Sequence, residues 1–84
     1  IMAWRGIGWC SFISQKHEQA MKYYEKIIEQ KPLAIDYMNA GHVAWVMGDI
    51  QKASVFYGKA ITASGNRERF LEMMRHFTLQ PPAS

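Results

Sequence analysis

The chain has 84 residues, of which 49% are hydrophobic and 20% charged, with a formal net charge of +3. That length holds one small domain with a modest core, and the balance fits a folded rather than a disordered chain. No run of about 18 apolar residues occurs, so no membrane-spanning helix is expected.

The first predicted helix covers 2–14. Trp4, Ile7, Gly8 and Ser11 keep a three-four spacing and form one stripe. Met2, Arg5, Trp9, Phe12 and Ile13 form a second stripe on another side. Two stripes mean a helix packed on two sides, or packed on one and adhesive on the other. The second helix runs from about Lys16 to Gln30, with Ala20, Tyr23, Tyr24, Ile27 and Ile28 inward. Its small Ala20 suits a close helix crossing. Lys31-Pro32 ends it, because the residue before proline is driven out of the helical region.

The third helix spans about Leu33 to Met47. Tyr37, Ala40, Gly41 and Ala44 make its tight stripe, and Ile35, Met38, His42, Trp45 and Val46 the other. A mid-helix glycine costs roughly 1 kcal/mol against alanine, which a close crossing at Gly41 would explain. Gly48 supplies a left-handed turn and Asp49 an N-cap for a fourth helix, about Ile50 to Ala63. Ser64-Gly65-Asn66 breaks the chain, and a fifth, strongly two-sided helix follows over about Arg67 to Leu79. Pro81-Pro82 then favours a stop. The chain opens on Ile1 already inside helical periodicity, and is read as an excerpt of a longer protein.

The second and fourth helices repeat. Ala20, Tyr23, Tyr24, Lys26 and Ile28 return 33 residues later as Ala53, Phe56, Tyr57, Lys59 and Ile61. The same offset carries Trp4 to Tyr37 and Gly8 to Gly41. A fixed period in this range marks stacked helical hairpins. The recurring set Trp4, Gly8, Ala20, Tyr24, Pro32, then Tyr37, Gly41, Ala53, Tyr57, resembles the tetratricopeptide repeat (TPR) family. Gly65 stands where the second Pro is usual, and Gln15-Lys16 where the second copy has the family's Gly48-Asp49 turn.

The resemblance implies an all-α solenoid segment of five helices with right-handed superhelical stacking. It divides into a first repeat over 1–33, a second over 34–67, a C-terminal capping helix over 68–80 and a tail over 81–84. It also implies a non-catalytic protein-interaction module, a scaffold that holds a partner segment in the concave groove formed by the first helix of each repeat. The positions matching groove sites are Met2, Arg5, Trp9, Phe12, Met38, Asn39, His42 and Trp45. One family subset holds acidic C-terminal tails of heat-shock chaperones with a two-carboxylate clamp. Arg5 and Asn39 match it, but Trp9 replaces an asparagine, and Glu68 and Glu72 fall at its basic sites. Carboxylates there repel an acidic tail, so a more apolar or mixed ligand is expected.

Other chemistries find little support. His17, His42 and His76 form no metal-ligand pair at helical spacing, Cys10 has no base placed beside it, and no glycine-rich phosphate loop exists. No enzyme activity, cofactor or metal is expected. Lysines 16, 22, 26 and 31 alternate with glutamates 18, 25 and 29. That is a solvated helix face rather than a nucleic-acid surface. The lone Cys10 excludes an internal disulfide and suits a cytoplasmic setting. The expected partner is a protein or peptide, with homodimerisation as the structural alternative and the adaptor part of a larger protein as another.

Overall fold

A computed structural model describes residues 2–77 of the chain. These residues form five helices: α1 (Met2–Ile13), α2 (His17–Glu29), α3 (Ala34–Val46), α4 (Ile50–Ser64) and α5 (Arg67–Phe77). The expected extension of the fifth helix to Leu79, the end of the capping unit at 80 and the tail over 81–84 lie outside the described residues. α1 packs on α2 and α3 on α4; α3 also packs on α2 and α1, and α5 on α4 and α3.

The helix ends follow from local chemistry. Asp49 Oδ1 accepts from the Lys52 backbone N–H at 3.1 Å, capping α4. Asn66 Oδ1 accepts from Arg69 N–H at 2.7 Å, capping α5. α3 has apolar Leu33 at its N-cap, so only the back-reaching half of a capping box can form. Asp36 Oδ2 accepts from the Leu33 N–H at 2.7 Å. Gly48 turns the second hairpin with φ of 86°, where glycine carries no steric cost. In the first hairpin Gln15 holds the equivalent place with φ of 64°, a left-handed conformation without glycine's freedom.

Each hairpin closes on a glycine set against an aromatic ring. A Cβ at Gly8 would lie 3.1 Å from the Tyr24 ring, and one at Gly41 only 2.8 Å from the Tyr57 ring. The two glycines recur because any side chain would force the paired helices apart. Around these crossings Ala20, Tyr24, Ile27, Ala40, Val43, Ala44 and Ala53 form the main core. A second cluster of Met38, Ala60 and Phe70 seats α5. There the Phe70 ring meets Tyr57 edge-on at 6.4 Å. Lys26 lies over the Trp4 and Tyr23 rings, and its Trp4 contact recurs 33 residues on as Lys59 over Tyr37.

Candidate functional site

α3 packs on the first hairpin, so α1 and α3 run side by side and a cleft of about 420 Å³ opens between them. Arg5, Gly6 and Trp9 line it from α1, Ile35, Asp36 and Asn39 from α3, and Tyr24 from α2. Gly6 is what leaves room, since nothing lies within 4 Å of the Cβ it lacks.

Charge at the cleft is fixed. The Arg5 guanidinium binds Asp36 through two parallel bonds, Nε to Oδ1 and Nη2 to Oδ2, each 2.7 Å. Asp36 is 1% exposed, so its carboxylate depends on Arg5 and the Leu33 N–H for the hydrogen bonds that water would give. A bidentate pair of this kind fixes the relative position of α1 and α3 as well as neutralising a buried charge. Tyr24 lies behind it and lines the cleft with Asn39. Burial first, and the Asp36 charge second, push the Tyr24 pKa up to about 12, so the phenol stays neutral.

The eight expected groove residues separate. Trp9, 39% exposed, walls the cleft opposite Ile35, and Asn39 lines it from α3. Arg5 lines it too, already bonded to Asp36. Phe12 is half-buried against the core and holds Trp9 by a tilted ring contact at 5.7 Å. Trp45 is 58% exposed and stands apart, near the hairpin turn with exposed Val46, Met47 and Ile50. Met38 does not reach solvent: α5 covers the third helix at this level, and Met38 is fully buried with Ala60 and Phe70. His42 Nδ1 is hydrogen-bonded to the Tyr57 hydroxyl, and its ring meets Tyr57 edge-on at 5.3 Å. Burial pushes the His42 pKa down, which favours the neutral imidazole. The side chain of Met2 lies outside the described residues.

Asp36 and Gly6 are the parts of the cleft that sequence reasoning missed. Nothing local marks an aspartate in the first turn of a helix as buried, because its partner lies 31 residues away. Gly6 has a signal in hindsight: the 33-residue offset pairs it with Asn39, at the same height on the neighbouring helix. Among the described residues no group of three His, Cys, Asp or Glu could hold a metal ion. Among them, too, no helix is long and apolar enough to cross a membrane.

The tetratricopeptide repeat family model matches residues 3–32 and again 37–67. No curated protein is significantly similar to the chain. No solved structure is significantly similar to it either. Two matched copies cover most of the 84 residues, with the glycine–tyrosine crossings falling inside both. The chain belongs to the tetratricopeptide repeat family, whose members generally serve as protein–protein interaction modules.

Proposed function

We propose that the protein is a non-catalytic interaction module that holds an extended segment of a partner protein along the α1–α3 side. In this reading residues 1–33 and 34–67 are the two repeats and the helix over 68–80 is their cap. The single observation that carries it is the cleft between the repeats. It is partly open, walled by an aromatic ring, and its one ion pair is already satisfied.

A neutral cleft with an apolar wall suits a large uncharged side chain, held between Trp9 and Ile35. The Asn39 amide both donates and accepts, which matches a peptide unit of the partner. Arg5 acts indirectly, by fixing α1 against α3. Met38 and His42 serve through the packing behind the cleft, and Trp45 extends the contact toward the hairpin turn. A preformed cleft on rigid helices loses little entropy when it binds.

The test is a peptide selected against this chain from a display library, with its affinity measured for variants. Trp9→Ala is expected to weaken binding by about 2 kcal/mol or more, as a central aromatic anchor does. Asn39→Ala should lose about 1 kcal/mol, one neutral hydrogen bond. Unchanged affinity in both variants would rule out this cleft.

A further inference from the structure

Gly6 in α1 and Gly58 in α4 stand inside helices without the reasons that hold the other glycines. Gly8 and Gly41 lie against aromatic rings, and Gly48 and Gly65 have positive φ. At Gly6 and Gly58 nothing lies within 4 Å of the missing Cβ. Alanine would fit at both and hold the helix better. The two differ in place. Gly6 lines the α1–α3 cleft with Arg5 and Trp9, whereas Gly58 borders a separate hollow with Val55 and Thr62.

The groups beside Gly6 are flat. Trp9 offers an indole ring that is 39% exposed. Arg5 is held by Asp36 along its Nε and Nη2 edge, and its side chain is 29% exposed. With that edge taken, the guanidinium has its planar face and its Nη1 end left for a ligand, and such a face stacks on aromatic rings. A carboxylate would have to take Arg5 from Asp36, which is 1% exposed and cannot turn to water instead. An aliphatic side chain gains nothing from a cationic face. The absent side chain at Gly6 lets a ligand approach the helix backbone next to both groups. On the other wall the equivalent position in the second repeat is Asn39, which keeps a full side chain, so the room lies on the α1 side.

We propose that Gly6 sets what the cleft admits, and that it admits an aromatic side chain of the partner, laid against the α1 backbone beside Trp9 and Arg5. The proposal rests on the reading of the cleft as the partner site, and narrows its large uncharged side chain to one chemical class. At about 420 Å³ the cleft is at the small end of ligand pockets, with room for one ring rather than several. Glycine at this position weakens α1 and opens the cleft. Stability and binding therefore pull in opposite directions at Gly6, and at Gly58 they do not.

The test uses peptides selected against the whole parent chain from a random display library, and compares Gly6→Ala, Gly6→Leu, Gly58→Ala and Trp9→Ala. Gly6→Ala and Gly58→Ala should both raise the melting temperature by about 4 °C, the effect of helix propensity alone. Affinity should separate them. It should be unchanged in Gly58→Ala, lower in Gly6→Ala, and lower by about tenfold or more in Gly6→Leu, which fills the space. Gly6→Ala adds one methyl group in open space and stands in if Gly6→Leu loses helicity. The selected peptides should share an aromatic residue, and its replacement by leucine should cost the parent chain about tenfold in affinity but Gly6→Leu little. Peptides that depend on Trp9 but share no aromatic residue, or that bind the Gly6 variants as well as the parent, would overturn the inference and leave the cleft as the partner site. Peptides indifferent to Trp9→Ala, or a selection that yields none, would remove that reading and this inference with it.

Discussion

The two hairpins are built on one plan and differ in what surrounds them. In the first, Tyr24 is sealed at 1% exposure, because α3 packs over α2 there. In the second, the equivalent Tyr57 is half-buried, with α5 the one further helix beyond it among the described residues, and its hydroxyl bonds His42. The first helices show the reverse: α3 is buried on the side toward its neighbour and α1 is not. In a repeat protein, then, identical positions acquire different burial from the number of neighbours, not from their own sequence. The cleft lies at the junction where α1 and α3 stand side by side.

The aromatic pair breaks that comparison hardest. Tyr24→Ala should cost about 3–5 kcal/mol, the range for emptying a large buried aromatic site. Tyr57→Ala should cost distinctly less, read from urea midpoints at constant slope. Equal losses would mean that neighbour packing does not set the difference.

Arg5→Ala comes next. It leaves the Asp36 carboxylate buried with only the Leu33 N–H, and removing one partner of such a pair costs about 3 kcal/mol. Arg5 is itself partly open to water, so the loss should sit at the low end of that range. A double-mutant cycle with Asp36→Ala should show strong coupling between the two sites.

The glycine crossings sharpen the contrast further. Gly41→Ala places its Cβ 2.8 Å from a Tyr57 ring already held by His42 and Phe70. Overpacking there should outweigh the gain in helix propensity, for a net loss of about 1–2 kcal/mol. Gly8→Ala meets Tyr24 at 3.1 Å and should cost less. At the turns the sign reverses. Gln15→Gly should stabilise by about 1 kcal/mol, since it gives the first hairpin the residue type that Gly48 gives the second. Thermal melting would register both changes.

The smallest effects are set by pH. Folded His42 holds its proton less tightly than an unfolded histidine at 6.5. Below pH 6.5 the unfolded chain therefore binds more protons, and stability falls as pH drops through the folded value. On the alkaline side Tyr24 ionises near 10 when unfolded and about 12 when folded, so stability falls as pH rises between those values. His42→Gln should flatten the His42 share of the acid limb and leave the alkaline limb in place.

Local signals in the chain carried most of the fold. Pro32, Gly48, Asp49 and Asn66 mark helix ends by backbone chemistry that acts within a few residues, and the helices stop where those signals stand. Gly41 was legible as a close crossing because a mid-helix glycine needs a reason. The site was less legible. Helical spacing places Arg5, Trp9, Met38 and His42 on one side of their helices, but not which neighbour reaches over that side. Met38 is sealed because Phe70 of α5 packs there, and His42 is engaged because Tyr57 reaches it from α4. Asp36 escaped notice since its meaning depends on Arg5, far away in the chain. Trp9 and Asn39 line the cleft where two helices meet, and among the described residues no third helix closes it.

The central claim is that the partner lies along α1 and α3. It is tested most directly by NMR, titrating the ¹⁵N-labelled chain with a peptide selected against it. The three tryptophan indoles serve as separate reporters. The Trp9 indole and the Asn39 side-chain amide should shift and saturate together, while the indole of Trp4, half-buried beside Lys26, stays in place. Shifts confined to Ser54, Val55, Gly58 and Thr62, exposed on the outer side of α4, would contradict the account.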